Sequence, residues 1–143
     1  MSSENDIDVL ARTIYGEARG EYGRPDGGIA SLICVGNVVM NRLAKMSWFG
    51  RSVREVCQKP WQFSCWNYGD VNRHIIEQVD AGDGVFKVCK DVAYQVAHAL
   101  WPDLTGGCDH YYSALLKSPP KWAVGKPPKF RIGRHLFFNL GDV

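Results

Sequence analysis

Helical periodicity fills most of the first hundred residues of this chain and is absent from the last forty, and this contrast constrains the fold more than any other feature. Apolar residues recur every three or four positions in three stretches, at residues 7–14, 29–43 and 85–100. From residue 109 onward, a segment rich in β-forming residues, which include Tyr111 and Tyr112, is followed by a loop rich in proline and lysine and by a segment that looks like a strand pair. Helices first and strands last predict an α+β fold with a predominantly helical core.

Capping residues and turn signals predict where the elements begin and end. Asp6 or Asp8 is a candidate cap for the first helix, which is expected to stop near Arg19-Gly20. The other predicted elements are a loop at 23–28, helices at 28–45, 52–58, 72–79 and 84–100, an aromatic loop at 61–66, a β segment at 109–115, a loop at 118–128 and a strand pair at 129–140 that turns at Gly133. A chain of 143 residues is expected to bury one core, so residues 1–143 are interpreted as a single domain.

Charge and hydropathy exclude several classes of protein. A net charge of +2 is too small to argue for nucleic-acid binding. There is no apolar run long enough for a membrane span, and the first six residues lack the pattern of a secretory signal. The protein is therefore expected to be made in a cytoplasm and to have no stable membrane association. It is also expected to be a monomer.

The five cysteines are interpreted as mostly reduced thiols. Their number is odd, so at least one is unpaired in a monomer. Their spacing to one another and to the histidines does not match a zinc site. Neither a metal nor a cofactor is expected.

Glu17 is the residue that most directly indicates chemistry. It continues the apolar stripe that includes Leu10 and Ile14, at steps of three and four residues. Burial there is expected to raise the pKa of Glu17, a property that a general acid needs near neutral pH. The structural alternative is an ion pair with one of three arginines, Arg12, Arg19 or Arg42.

The run from Leu10 to Glu21, Leu-Ala-Arg-Thr-Ile-Tyr-Gly-Glu-Ala-Arg-Gly-Glu, resembles the opening of the catalytic domain in SleB/CwlJ-type cell wall hydrolases, the family of the spore-cortex lytic enzymes. Similar blocks follow in the family's order up to about residue 139, at 29–30, 38–42, 53–56, 58–64, 110–112, 122 and 132–137. This family resembles lysozyme and lytic transglycosylases, with one catalytic glutamate at a helix end beside a sugar groove. The resemblance implies that Glu17 is that glutamate.

The resemblance also implies a reaction. The expected activity is cleavage of the β-1,4 bond between N-acetylmuramic acid and N-acetylglucosamine in peptidoglycan glycan strands, as a lytic transglycosylase with a single catalytic acid. Hydrolysis by a muramidase with a second carboxylate stays open. The candidate second acids are Glu21, Asp26, Glu55 and Asp70. Of these, Glu21 is expected just past the helix, more as a structural partner of Arg19 than as a catalyst.

Candidate sugar-binding residues offer flat rings or polar side chains to a glycan. They are Tyr15, Asn41, Gln62, Phe63, Trp66, Tyr111, Tyr112 and Trp122. Each ring is as readily explained by core packing, and at least one of the neighbouring tyrosines at 111 and 112 should face the groove, because strand residues alternate sides. Asn41 is expected on the floor of the cleft.

The chain departs from the spore enzymes in three respects. It shows no signal peptide or wall-binding repeat domain, it has an insertion-like stretch at about residues 64–83, and it contains many cysteines. A stand-alone catalytic domain without an export signal is similar to a bacteriophage endolysin, which would be made in the host cytoplasm and would act on the bacterial cell wall.

Two alternatives belong to other classes of protein. A cysteine peptidase or amidase would use Cys65 or Cys108 with His74, His110 or His135. A non-catalytic carbohydrate-binding module would use the tryptophans and tyrosines alone.

Overall fold

A computed structural model describes residues 3–45, 49–60 and 62–141, so that Trp61 of the aromatic loop lies outside the described residues. The helices of this part are α1 Glu4–Tyr22, α2 Ile29–Ala44, α3 Val53–Gln58, α4 Val71–Gln78 and α5 Gly84–Ala97. The strands are β1 His110–Ser113, β2 Phe130–Ile132 and β3 His135–Phe138, and single 3₁₀ turns lie at Ser64–Trp66 and Lys121–Ala123. The predicted helical α+β fold with a small C-terminal sheet is confirmed. None of the described helices is long and apolar enough to cross a membrane.

Helix α1 is the centre of the domain, since α2, α3, α4 and α5 all pack against it. Leu10, Ile14 and Ala18 are completely buried, as their helical spacing requires. The predicted cap was wrong by one turn. Ser3 caps the helix, and its side chain and that of Asp6 bond each other's backbone N–H groups in a capping box.

The C-terminal end of α1 also differs from the prediction. The helix passes through Gly20 and ends at Tyr22, because Glu21 is anchored in the interior by contacts to the C-terminal sheet. Two residues at the ends of the predicted apolar stretches 29–43 and 85–100 are exposed, although a helical apolar stripe is expected to be buried. Ile29 is the first residue of α2 and is 45% exposed, and Leu100 lies beyond the end of α5 and is 64% exposed.

The sheet is antiparallel in the order β1–β3–β2. Tyr111 pairs with Phe137 across β1 and β3, and Gly133 makes the turn between β2 and β3 at a φ of 55°. The completely buried Phe137 packs with Cys34 and Val38 of α2, which fixes the sheet against that helix.

Asp109 fastens the start of β1 to the end of α2. Its buried carboxylate accepts hydrogen bonds from Lys45, from His110 Nδ1 at 3.0 Å and from the Leu140 backbone at 2.9 Å. Its backbone oxygen accepts a bond of 2.7 Å from Arg42 Nε. Burial alone would raise the pKa of Asp109, but these donors outweigh it and hold the pKa below its ordinary value.

Candidate active site

A groove of about 600 Å³ runs between the C-terminal half of α1 and the C-terminal sheet. Its lining includes Glu17 of α1, Tyr111 and Tyr112 of β1, Arg42 of α2, and Gln62. A larger concavity of about 770 Å³ lies beside α3. It contains Glu55 but none of the predicted sugar-binding residues, so the groove beside Glu17 is the candidate site.

Both carboxylate oxygens of the half-buried Glu17 have donors. The Tyr111 hydroxyl donates to Oε1, and the Cys65 backbone N–H donates to Oε2 at 3.4 Å. These two bonds come from the sheet and from the 3₁₀ turn that follows α3. They fix the plane of the carboxylate at the edge of the groove.

The alternative explanation of Glu17, an ion pair with one of three arginines, was wrong. In the described part of the chain, each of these arginines has other partners. Arg12 pairs with Asp8 at 2.9 Å, and Arg19 donates to Asn72 Oδ1 at 2.6 Å. Arg42 donates to Gln62 Oε1 at 3.0 Å as well as to the backbone. Glu17 therefore faces the groove with neutral donors as its hydrogen-bond partners.

Tyr111 is packed so that its hydroxyl stays protonated. Its ring centroid lies 4.9 Å from that of His135, 5.4 Å from that of Phe137 and 6.5 Å from that of Phe63. Burial, followed by the proximity of Glu17, raises the pKa of Tyr111 well above its ordinary value. A neutral phenol is a permanent donor, and Tyr111 therefore orients Glu17 at any pH near neutrality.

The close approach of α1 to the 3₁₀ turn depends on Gly16. A Cβ at this position would lie 2.8 Å from Cys65 Cβ and 3.0 Å from Ile76 Cγ2. Both atoms belong to packed, buried side chains. Because Gly16 precedes Glu17 and Cys65 bonds it, this contact sets the position of the turn that supports the carboxylate.

Substituting alanine at Gly16 and at Gly20 is expected to have opposite effects. Gly16→Ala should lower the free energy of unfolding by about 1–3 kcal/mol through overpacking. Gly20→Ala is the matched control on the same helix, since its Cβ would meet nothing closer than Arg134 Nη2 at 3.5 Å. It should stabilise the helix by about 0.5–1 kcal/mol. Urea unfolding of both variants measures the difference, and equal effects would contradict the close packing at Gly16.

Glu21 forms a structural ion pair with Arg134. Its carboxylate accepts hydrogen bonds from the backbone N–H and the guanidinium of Arg134, the shortest at 2.7 Å. The predicted partner, Arg19, and the predicted position beyond the helix were both wrong. Burial raises the pKa of Glu21, but the bonds from Arg134 outweigh it and the pKa is lowered overall.

The other candidate second acids lie outside the groove. Asp26 pairs with Arg24 at 2.9 Å, Glu55 lies in the first turn of α3, and Asp70 caps α4 through the Asn72 backbone. Among the described residues that line the groove, Glu17 and Glu21 are the acids.

The structure brings three of the predicted sugar-binding residues to the groove beside Glu17, namely Gln62, Tyr111 and Tyr112. It places the other five elsewhere. Three of them donate hydrogen bonds elsewhere: Tyr15 to Asp83, Asn41 to Asp103 and the Cys108 carbonyl, and Trp66 to Thr13. Phe63 is only 2% exposed. The Trp122 ring packs against the rings of Tyr112 and Phe138. For Asn41, the prediction of a cleft floor was wrong, because the loop that follows α5 covers that face of α2.

Two residues that line the groove, Arg42 and His135, were not predicted from the sequence as part of a glycan site. Arg42 is 5% exposed and stacks over Phe49 and Phe63, with its guanidinium 5.1 and 5.0 Å from the ring centroids. His135 is also 5% exposed, its Nδ1 has no hydrogen-bond partner in the described part of the chain, and burial lowers its pKa. Both residues belong to blocks that carry the family resemblance, at 38–42 and 132–137. Their position in these blocks is the sequence feature that could have identified them.

The thiols do not form a nucleophilic site. All five cysteines are buried and unpaired, and burial raises the pKa of Cys34, Cys57 and Cys89 to about 12. The pKa of Cys65 and that of Cys108 are also raised by burial. A cysteine nucleophile needs a thiolate, and these environments favour the thiol. Within the described residues, His, Cys, Asp and Glu side chains also form no cluster of three that would hold a metal ion.

Comparison with known proteins gives consistent relatives. A family model described as cell wall hydrolase matches residues 28–138. The spore cortex-lytic enzyme of Halalkalibacterium halodurans is 29% identical over 140 residues, which are 96% of this chain and 36% of that protein. The chain therefore spans about a third of the length of this curated relative.

Two solved structures are similar over nearly the whole chain. The catalytic domain of the Bacillus cereus SleB protein has a TM-score of 0.71 at 27% identity, covering 96% of this chain and 91% of that one. The catalytic domain of the germination-specific lytic transglycosylase SleB from Bacillus anthracis has a TM-score of 0.68 at 27% identity, covering 94% of each chain.

Proposed function

This chain belongs to the cell wall hydrolase family, and from that premise we propose that it cleaves peptidoglycan glycan strands with Glu17 as the catalytic acid. The likeness to SleB/CwlJ-type hydrolases seen in the sequence is confirmed by the curated relative and by both solved structures. The observation that carries the proposal is the position of Glu17. Its carboxylate opens into the groove, is oriented by Tyr111 and Cys65, and pairs with no cation of the described residues.

In the first step, protonated Glu17 donates its proton to the oxygen that links N-acetylmuramic acid to N-acetylglucosamine. The bond between this oxygen and the anomeric carbon of the muramic residue breaks, and the N-acetylglucosamine unit leaves with a free 4-hydroxyl group. Positive charge develops on the muramic ring. Glu17, now a carboxylate, keeps the hydrogen bond from Tyr111 and faces that charge.

In the second step, the Glu17 carboxylate acts as the base. It accepts the proton of the muramic C6 hydroxyl while that oxygen attacks the anomeric carbon, which closes a 1,6-anhydro ring and restores the protonated acid. One carboxyl group serves both steps, as one acid–base residue does in retaining glycosidases. The single-acid route is favoured over a muramidase mechanism because both oxygens of Glu21 are held by Arg134.

The groove residues around Glu17 supply the contacts that a glycan needs. Tyr112 offers a ring that is stacked on Phe138 at 5.6 Å and is therefore rigid. Gln62 is held by Arg42 through its side-chain oxygen, which leaves its amide N–H₂ to donate to an acetamido carbonyl. We assign both residues to glycan binding.

The products of digestion test the proposed reaction. Purified peptidoglycan incubated with the protein should release fragments that end in 1,6-anhydromuramic acid, each lighter by one water than the reducing-end fragment. Mass spectrometry with and without borohydride reduction distinguishes the two ends, since only the reducing end gains hydrogen. If all products have reducing ends, the reaction is hydrolysis and the proposed transglycosylation is wrong. If no glycan is cleaved, the protein is not a glycosidase, and a carbohydrate-binding module is favoured.

A further inference from the structure

Positive charge is concentrated on one side of the groove. From His110 to Gly141 the chain contains six of its 17 lysine and arginine residues and none of its 15 aspartate and glutamate residues. Residues 114–128, which we call the basic rim, follow β1 directly and hold three exposed lysines, Lys117, Lys121 and Lys126. None of these lysines forms an ion pair with another residue of the described part of the chain. Their charge is therefore available to a ligand.

The basic rim is fixed to the groove wall at two points. At its start, the Ala114 backbone N–H donates to the Arg134 carbonyl at 2.7 Å, beside the beginning of β3. Further along, Trp122 of the 3₁₀ turn packs against Tyr112, with ring centroids 5.9 Å apart. Leu115 and Leu116 themselves line the groove. Lys117 follows Leu116 directly and Lys121 precedes Trp122, so both lysines lie next to residues that line or support the groove wall.

The rim combines cationic with apolar surface. Leu115 is 69% exposed and Leu116 is 53% exposed, next to Lys117. Inside the groove, Arg19, Arg42 and Arg134 outnumber the two acids, Glu17 and Glu21. The matching ligand is an extended chain with carboxylates and small apolar side chains attached beside the scissile bond. The stem peptides of peptidoglycan, which are alanine-containing and carry free carboxylates, have this chemistry.

We infer that the basic rim binds the carboxylates of the stem peptides on the glycan strand that occupies the groove, an inference that rests on the proposed function. The substrate is then a peptide-bearing strand, and a strand without stem peptides, which keeps only the lactyl carboxylates of its muramic residues, is a poorer one. Exposed lysines act mainly through association and are screened by salt. The rim therefore contributes to capture of the strand, while bond cleavage depends on Glu17.

The test compares two double variants with the same change of charge. Lys117→Ala/Lys121→Ala removes two cations from the rim, and Lys87→Ala/Lys90→Ala removes two exposed cations from α5, outside the groove. Soluble strands freed of phosphate-containing wall polymers are the substrate, with their stem peptides intact or removed by an amidase. At about 0.05 M salt, kcat/KM on stem-bearing strands should be about five- to tenfold lower for the rim variant than for the wild type. At about 0.5 M the difference should disappear, because salt screens the attraction that the wild type has. On stem-free strands, the kcat/KM of the rim variant should equal that of the wild type. The kcat/KM of the α5 variant should equal that of the wild type on both kinds of strand.

Three results would overturn the inference while leaving the proposed function intact. One is an equal loss on stem-free strands, another is an equal loss in the α5 variant, and the third is no loss on stem-bearing strands. If the loss appears only on walls that retain phosphate polymers, those polymers are the ligand and the stem peptides are not. A wild-type protein that cleaves neither kind of strand would overturn the proposed function itself. Thermal unfolding of both variants should match the wild type, because the lysines are exposed.

Discussion

Replacing Glu17 by glutamine is expected to reduce turnover of peptidoglycan by at least about 10³-fold, because the amide cannot donate the proton or accept it back. The substitution keeps the size of the side chain and its acceptor for the Tyr111 hydroxyl. Binding of the glycan should therefore persist. The measurement is the rate of release of soluble fragments from purified peptidoglycan, together with sedimentation of the variant with the insoluble wall.

Glu77→Gln is a suitable control for this substitution. Glu77 is an exposed acid of α4 that forms an i,i+4 pair with Arg73 at 3.7 Å and lies outside the groove. The Glu77→Gln variant should release soluble fragments at the same rate as the wild type. A Glu17→Gln variant that retains full activity would reject Glu17 as the catalytic acid, and it would reopen the possibility that the domain only binds carbohydrate.

Removing the Glu21 carboxylate is expected to have the largest effect on stability. Glu21 is 5% exposed and joins α1 to the turn between β2 and β3 through Arg134, which is 113 residues away in the sequence. Glu21→Ala leaves the Arg134 backbone N–H and guanidinium without their acceptor and creates a small cavity. The free energy of unfolding should fall by about 2–4 kcal/mol at neutral pH. Urea unfolding measures the change.

The exposed ion pair of Glu77 with Arg73 on α4 provides the control for this change in stability. Glu77→Ala breaks an ion pair of the same residue types at the surface and should change stability by less than about 0.5 kcal/mol. If the two alanine variants are equally stable, the ion pair of Glu21 with Arg134 does not hold the sheet to α1.

The contribution of Glu21 should also depend on pH in one direction. Its pKa is lower in the folded protein than the ordinary value of 4.5, so the folded state favours the charged form. The stabilisation is then fully present above about pH 4.5 and is lost as the pH falls through the folded value. The difference in stability between the wild type and Glu21→Gln should shrink accordingly below about pH 4.5.

Helical periodicity was sufficient to locate Glu17. Leu10 and Ile14, on the same stripe, are completely buried, and Glu17 follows them to the point where the stripe meets the groove. Periodicity could not show what covers each helix face. Asn41 of α2 and Tyr15 of α1 lie on faces covered by the loop after α5 and by the start of α5, so neither reaches the groove.

The sequence by itself determined the order of helices and strands and the family, because these depend on local spacing and on blocks of contiguous residues. It also singled out Glu17, the acid that we propose as the catalyst. Only the tertiary structure decided which groups surround that acid. Tyr111, Cys65 and the pairing of Glu21 with Arg134 come together from segments separated by 48 to 113 residues. Such contacts arise from the packing of the sheet and the 3₁₀ turn against α1, and a periodic pattern within one helix contains no information about them.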